Sequence, residues 1–221
     1  MTSRRLVLWR HGRTAWNFAR RAQGQTDIPL DDVGIAQAQE AAPRLAALGP
    51  SFIWSSDLAR ARRTAEELAS ITGLTVVPDE RLREIHLGDR QGLTVDEIKR
   101  SMPRVWAAVQ SGLELPTAVG GESDAEVAAR AAAAISDAAK TLGPGQLGVL
   151  VGHGGSLRSG LWEFLGLPRE RAHVLVGMSN CAWTVLEESY GGHWRLVDYN
   201  AGTLPEPVLT DDLADSAEQS A

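Results

Sequence analysis

Two short apolar runs, far apart in the chain, each lead into a histidine. Residues 6–9 are followed by Arg10 and His11, and residues 147–151 are followed by a glycine and His153. Unbroken apolar runs of this length that end at polar residues are typical of strands buried on both faces of a parallel sheet. Ligands of such sheets bind at the carboxyl ends of the strands. If the two strands are neighbours, both imidazoles therefore face one crevice.

The remaining pattern alternates between helical and extended segments. After the first strand, the predicted elements are a helix at 35–48, a strand at 52–54, a helix at 58–68, a strand at 74–77, a helix at 123–142, the second histidine strand, a helix at 156–165 and two edge strands at 181–186 and 194–197. Ser56 or Asp57 is predicted to cap the helix whose buried positions span 58–68, and Gly73 is predicted to close it. This alternation predicts an α/β fold, a three-layer sandwich with a mostly parallel central sheet and helices on both faces.

The length of 221 residues and the hydrophobic content of 43% suit one domain with a substantial core. We expect a single domain at residues 1–205, with a helical insertion at about 90–120. Residues 206–221 have no apolar period and are expected to form a disordered acidic tail. Four acidic residues lie within the last eleven, so the body carries only about −2 of the net charge of −6.

Charge and cysteine content limit the possible partners. The chain has no basic run, so we expect no nucleic-acid binding. The single cysteine, Cys181, cannot form an internal disulfide, and the apolar run near the start is too short for a signal peptide or a membrane span. These features favour a cytoplasmic protein that does not bind membranes. Association into a homodimer remains open.

The position of His11 suits nucleophilic attack on phosphorus. A strand-end imidazole beside Arg10 can hold a phosphoryl group as phosphohistidine, provided that the attacking nitrogen is unprotonated. The other ring nitrogen would then donate to a backbone carbonyl, which Gly12 allows the chain to offer. Arg10 would neutralise phosphoryl oxygens through its forked donors.

Other positive groups and donors are predicted at neighbouring strand ends. Arg60 lies early in the helix after the second strand, so its side chain can reach back over the sheet. His153, if protonated, adds a third positive charge, and the amide of Gly154 adds an anion-binding donor. Because this set is chemically sufficient for phosphoryl transfer, we expect neither a metal nor another cofactor.

A proton is still needed for the leaving oxygen, and Glu84 is the candidate. It could protonate the leaving alkoxide and then accept a proton from the attacking water. Asn17, Gln23 and Gly24, in the loop after His11, are placed to contact phosphate or substrate hydroxyls.

Each of these residues also has an ordinary structural interpretation. A lone strand-end histidine is usually only hydrogen-bonded, and Arg60 could be surface charge. Glu84 could form a surface ion pair with Arg81 or Arg83. The joint occurrence of all the residues in sequence order favours function.

Five motifs in this order resemble the histidine phosphatase superfamily, in its phosphoglycerate mutase-like branch. The matching stretches are Arg10-His11-Gly12 with Asn17, residues 55–61, residues 82–84, residues 120–123 and Gly152-His153-Gly154. The resemblance covers roughly residues 4–200. It implies that His11 is phosphorylated, that Glu84 donates the proton, and that Arg10, Arg60 and His153 complete the phosphate pocket.

The same resemblance leaves three functions to compare. The segment between Gly92 and Gly120 lacks the paired arginines and proline run of cofactor-dependent phosphoglycerate mutases, which favours a phosphatase acting on a small phosphorylated metabolite. A mutase is the alternative, and a non-catalytic phospho-ligand binding protein is the third. Binding alone does not require both a nucleophile and a proton donor, so the set His11, Arg60, Glu84 and His153 argues against the third.

Within the superfamily, residues 23–25, 84–89 and 177–180 are similar to glucosyl-3-phosphoglycerate phosphatases. The resemblance implies glucosyl-3-phosphoglycerate, or a broad range of sugar phosphates, as substrate. Arg90 stands where that group has tryptophan, and Arg13 where glutamate or glutamine is commoner. Either arginine could bind a second anionic group or be solvated surface charge. His86 is expected to be structural rather than catalytic.

Overall fold

The computed structural model describes residues 3–111, 117–168, 174–189 and 191–202. Its strands are β1 (Arg5–Arg10), β2 (Phe52–Ser55), β3 (Val76–Pro78), β4 (Leu147–Gly152), β5 (Trp183–Glu188) and β6 (Trp194–Ala201). Its α-helices are α1 (Ala15–Phe18), α2 (Asp32–Ala46), α3 (Ala59–Thr72), α4 (Val95–Ser101), α5 (Pro103–Ser111), α6 (Asp124–Thr141) and α7 (Gly154–Phe164), with 3-10 turns at Glu80–Leu82 and Gly88–Arg90. The predicted acidic tail lies outside the described residues.

The six strands form one sheet in the order β3-β2-β4-β1-β5-β6. The pairs β3–β2, β2–β4 and β4–β1 are parallel, and β5 and β6 are antiparallel to their neighbours. The predicted mostly parallel α/β sandwich is confirmed. The prediction that β5 is an edge strand is wrong, because β5 pairs with β1 on one side and with β6 on the other. Burial alternates along β5, which shows that one face of the strand is more exposed than the other. This pattern does not show whether the strand pairs with one neighbouring strand or with two.

Strand β1 supplies apolar side chains to both faces of the sheet. Val7 and Trp9 pack in a cluster with residues of α2 and α3, whereas Leu6 and Leu8 pack in a second cluster with residues of α6 and α7. Successive side chains of a strand point to opposite faces, so a continuous apolar run is what a strand between two helical layers requires. The two helical layers therefore fix the sheet from both sides.

Two short helices, α4 and α5, occupy most of the segment predicted as a helical insertion. They build a small apolar cluster of their own around Ile98 and Ala22, which includes Trp106. Thr94 caps α4 with a capping box to Glu97. Within the ranges that the structure describes, no helix is long and apolar enough to cross a membrane.

The predicted cap of α3 is wrong. Leu58 occupies the cap position without a side-chain hydrogen bond, and the amide of Ala59 donates instead to Asp27 Oδ1 at 2.8 Å. The hydroxyl of Ser56 lies 2.9 Å from His153 Nε2, and the carboxylate of Asp57 pairs with Arg83. Ser56 therefore contacts a histidine and Asp57 binds an arginine, and neither side chain caps α3.

Candidate active site

The parallel pairing of β1 with β4 brings the two histidines together. Arg10 pairs with Gly152 in the register, and the amide of His11 donates to the carbonyl of Gly152 at 3.0 Å. The rings of His11 and His153 lie with centroids 5.1 Å apart and planes inclined at 60°. Both side chains are buried. The two histidines therefore lie together at the carboxyl edge of the sheet, as predicted.

The hydrogen bonding of His11 leaves one ring nitrogen available. Its Nδ1 lies 2.7 Å from the carbonyl oxygen of Gly12, which can only accept, so Nδ1 carries the proton. Burial, followed by the charges of Arg60 and Arg10, lowers the pKa of His11 well below its ordinary value. The imidazole is therefore neutral, and Nε2 has a free lone pair.

His153 is also neutral in the free protein. Its Nδ1 accepts from Arg60 Nε at 3.2 Å, and its Nε2 donates to the hydroxyl of Ser56 at 2.9 Å. Burial lowers the pKa of His153 well below its ordinary value, and the charges of Arg60 and Arg10 and the neighbouring His11 add to this. The third positive charge expected from a protonated His153 is therefore absent before a ligand binds.

Two guanidinium groups supply positive charge beside the two histidines. Arg10 is buried and donates to the carbonyl of Met178. Its guanidinium lies against the start of α7, because a side chain at Gly154 would place its Cβ only 3.3 Å from the Nε of Arg10. Arg60 is fully buried and donates to the carbonyls of Gly24 and Thr26 at 2.7 and 2.9 Å. The interpretation of Arg60 as surface charge is wrong.

Two side-chain amides aim their donors into the buried region. The Oδ1 of Asn17 accepts from the amide of Thr14 at 3.1 Å, and the Oε1 of Gln23 accepts from the Thr14 hydroxyl at 3.0 Å. The amide nitrogens of Asn17 and Gln23 are buried and have no hydrogen-bond partner among the described residues. A buried donor of this kind costs free energy unless a ligand or water accepts from it.

The carboxylate of Glu84 is held at the amino end of α7. It accepts hydrogen bonds from the amides of Gly155 at 3.0 Å, Ser156 at 2.8 Å and Ile85 at 2.9 Å. The partial positive charge of a helix amino end favours a carboxylate at this place. Gly154 was expected to bind substrate through its amide at the start of α7. The amides of the next two residues, Gly155 and Ser156, donate to Glu84.

The interpretation of Glu84 as part of an ordinary ion pair with its neighbouring arginines is wrong. Arg81 pairs with Asp79 and Asp137, and Arg83 pairs with Asp57. Both guanidinium groups therefore bind aspartates rather than Glu84. Glu84 is only 5% exposed, and it binds the first turn of α7, the helix whose cap residue is His153.

Three further residues were left open by the sequence. Arg90 is 4% exposed, so the interpretation of this arginine as solvated surface charge is wrong. Arg13 pairs with Asp31 at 2.9 Å and lies over the ring of Phe18. The ring of His86 accepts from the amide of Gly88 at 3.2 Å, in agreement with a structural role.

Sequence reasoning missed four residues that hold the site. Thr14 orients both amides, Ser56 binds His153, and Thr64 accepts from the amide of Gly12 at 3.1 Å. Arg130 donates to backbone carbonyls around Glu84. Ser56 could have been found, because it is a polar residue directly after a buried strand; Arg130 lies 46 positions from Glu84 and gives no local signal.

The arrangement combines a neutral imidazole with an unprotonated Nε2, two buried guanidinium groups, oriented amide donors and a nearby carboxylate. In the described part of the chain, no group of three or more histidine, cysteine, aspartate or glutamate residues could hold a metal ion. Such a site at the carboxyl edge of an α/β sheet defines a class of phosphoryl-transfer proteins.

The chain belongs to the histidine phosphatase superfamily. A model of this family, described as branch 1, matches residues 6–202. The predicted family and the phosphatase class are thereby confirmed.

Relatives in sequence carry two different names. The glucosyl-3-phosphoglycerate phosphatase of Mycobacterium tuberculosis is 40% identical over 201 residues, which cover 88% of each chain. A probable phosphoglycerate mutase, GpmB, of Yersinia pestis is 38% identical over 177 residues, which cover 80% of this chain and 81% of the relative.

Solved structures agree with the sequence relatives. A mycobacterial glucosyl-3-phosphoglycerate phosphatase in complex with VO3 has a TM-score of 0.83 and 41% sequence identity, and the match covers 90% of this chain and 100% of that chain. YhfR of Bacillus stearothermophilus has a TM-score of 0.81 and 32% identity, covering 90% of this chain and 98% of that chain.

The neutral histidines predict how stability depends on pH. The folded pKa of each lies below the ordinary value of 6.5, so the unfolded state binds more protons as the pH falls below 6.5. The free energy of unfolding should therefore decrease below pH 6.5, by up to about 1.4 kcal/mol per pH unit for each histidine. His153→Asn should reduce this slope, measured by urea denaturation between pH 7 and 5.5.

The exposed His193 provides a matched control, and His193→Asn should retain the wild-type slope. An unchanged slope in His153→Asn would contradict a neutral, buried His153.

Proposed function

We propose that the protein hydrolyses a small phosphorylated metabolite through a phosphohistidine on His11. In this proposal Glu84 is the acid and base, and Arg10, Arg60 and His153 surround the transferred group. The substrate also contacts Asn17, Gln23, Gly24 and Gly154. The observation that carries the proposal is the free Nε2 lone pair of a neutral, buried His11 beside two guanidinium groups.

The first chemical step transfers the phosphoryl group to the protein. The Nε2 lone pair of His11 attacks phosphorus as the bond from phosphorus to the ester oxygen breaks. The leaving oxygen takes a proton from the Glu84 carboxyl group and departs as an alcohol. Arg10 and Arg60 neutralise the charge on the phosphoryl oxygens, where a low dielectric strengthens each contact.

The second step returns the protein to its starting state. A water molecule attacks the phosphorus of phosphohistidine and loses a proton to the Glu84 carboxylate. The bond from nitrogen to phosphorus breaks, the electron pair returns to Nε2 of His11, and inorganic phosphate leaves. His153 stays neutral beside the phosphoryl group, held by its hydrogen bonds to Arg60 and Ser56.

Glucosyl-3-phosphoglycerate, or a related sugar phosphate, is the proposed substrate. Similarity to phosphatases of that name supports this choice. A phosphoglycerate mutase is the second candidate, supported by the similarity to GpmB. The cytoplasmic location, the possible homodimer, the independence of metal and other cofactors, and the absence of nucleic-acid and membrane partners stay predictions.

Turnover measurements separate the two candidates. We expect faster release of phosphate from glucosyl-3-phosphoglycerate or from sugar phosphates than interconversion of 3- and 2-phosphoglycerate. The reason is that the segment between Gly92 and Gly120 lacks the paired arginines and the proline run of cofactor-dependent phosphoglycerate mutases. Efficient interconversion that depends on a bisphosphoglycerate primer would favour the mutase instead.

His11→Ala should abolish phosphate release, because no other described nitrogen combines the free lone pair with the same guanidinium neighbours. Wild-type protein quenched during turnover should carry an acid-labile, alkali-stable phosphoryl group at His11, detected by mass spectrometry of the peptide. The assay contains EDTA throughout, so that metal independence is measured at the same time. His193→Asn is the control, and full activity in His11→Ala would overturn the nucleophile assignment.

Glu84→Gln should affect substrates according to their leaving groups. Loss of a general acid should slow phosphoenzyme formation from an alkyl phosphate by about 10²–10⁴-fold. A nitrophenyl phosphate expels a weakly basic phenolate and hardly needs the proton. With this substrate the variant should show a burst of nitrophenol followed by slow turnover and accumulation of phosphorylated His11.

Rapid-quench kinetics with both substrates measure this difference. Equal slowing without a burst would mean that Glu84 is not the acid and base.

A further inference from the structure

One guanidinium group on α6 holds the backbone around Glu84. The Nη1 of Arg130 donates to the carbonyls of Arg81 and Arg83, at 2.8 and 2.5 Å, and its Nη2 donates to the carbonyl of Glu84 at 2.9 Å. Its Nε and Nη2 also bind the two carboxylate oxygens of Glu122 at 2.7 and 2.9 Å. An arginine has five N–H donors, so all of them are used within this one cluster.

Glu122 extends the same set of contacts past the other side of Glu84. Its Oε2 accepts from the amide of His86 at 2.8 Å, and its own amide donates to the carbonyl of His86 at 2.9 Å. The Nε2 of Gln25 lies 3.3 Å from the same Oε2 and donates to the carbonyl of Glu84 at 3.0 Å. The backbone at 81–86 is thus bound on both sides of the acid.

Charge stabilises this cluster. Burial alone would raise the pKa of Glu122, but the hydrogen bonds from Arg130 and from the His86 amide outweigh it and lower the pKa below its ordinary value. The paired side chains are only 19% and 24% exposed, so solvent screens their interaction less than it screens a surface pair. A charged, bidentate pair has a narrow range of geometries, so it holds the attached peptide groups in place.

The two ends of the Glu84 residue are therefore anchored to different helices. Its carboxylate binds the amino end of α7, and its carbonyl binds Arg130 of α6. These helices pack against each other through a close contact between Gly160 and Ala131. A proton donor must reach its acceptor within about 2.6–3.2 Å, so the position of this backbone decides whether the acid can work.

We propose that Arg130 and Glu122 are positioning residues that set the Glu84 carboxyl group for proton transfer without contacting the substrate. This inference rests on the proposed role of Glu84. If the backbone of residues 81–86 relaxes by about 1 Å, proton transfer should slow by about 10²-fold. Nucleophilic attack by His11 does not depend on this backbone and should be retained.

Arg130→Lys tests the proposal because lysine keeps the charge but has a single nitrogen, which cannot span three carbonyls and a carboxylate. Phosphoenzyme formation from the best alkyl phosphate of the turnover screen should slow by about 10²-fold, whereas formation from nitrophenyl phosphate should change by less than about threefold. The KM values should stay close to those of the wild type. Glu122→Gln should have the same kind of effect: phosphoenzyme formation should slow more with the alkyl phosphate than with nitrophenyl phosphate.

Arg81→Lys is the matched control. Arg81 lies in the same segment and forms ion pairs, but its guanidinium binds Asp79 and Asp137 rather than the peptide of Glu84. In this variant, the rate of phosphoenzyme formation should change by the same factor with the alkyl phosphate and with nitrophenyl phosphate. Circular dichroism and thermal melting show whether each variant is folded, and Glu122→Gln decides the question if Arg130→Lys does not fold.

A double variant separates failure of this inference from failure of the proposed function. In a Glu84→Gln background, Arg130→Lys should add little further loss with the alkyl phosphate, because both changes remove the same proton transfer. If Glu84→Gln depends on the leaving group but Arg130→Lys slows both substrates equally, the positioning role is overturned. If Glu84→Gln itself shows no such dependence, the assignment of Glu84 fails first.

Discussion

The parallel pairing of β1 with β4 is the interaction on which the rest of the site depends. These strands are separated by more than 130 residues in sequence, yet their register places Arg10 beside Gly152 and so puts the two histidines on one edge. A slip of one residue would exchange the side chains that face the two helical layers. Because Val7 and Leu8 contribute to different apolar clusters, both cores resist such a slip. The relative position of the two histidines is therefore fixed by packing on both faces of the sheet.

Burial of the two histidines, together with the charges of Arg60 and Arg10, decides their protonation state. An imidazole that gains a proton here would be both desolvated and next to positive charge, so His11 and His153 stay neutral. For His11, neutrality is what a nucleophile needs. For His153, it allows Nδ1 to accept a hydrogen bond from Arg60. The same two guanidinium groups thus favour neutral histidines and, in the proposed mechanism, attract the phosphoryl group.

Features encoded in short stretches of sequence were predictable. The apolar runs before His11 and His153 identified two doubly buried strands, and the place of Arg60 after a strand located its side chain correctly. The charge state of His153 was not predictable, since it depends on the Nε of an arginine 93 positions away. The burial of Arg90 was equally hidden, because a charged residue in a polar loop carries no signal of the tertiary contacts that cover it.

The proposed acid, Glu84, is held in the site by different contacts from those that hold the proposed nucleophile, His11. His11 and His153 lie directly at strand ends, whereas Glu84 lies on a segment after β3 whose backbone is bound by Arg130. The strands cannot shift without disrupting both cores, but this segment is held by polar contacts that can be altered one at a time. In the proposed mechanism, activation of the leaving group can therefore change while phosphate binding is retained. Such a division suits a fold whose relatives carry the names of both phosphatases and mutases.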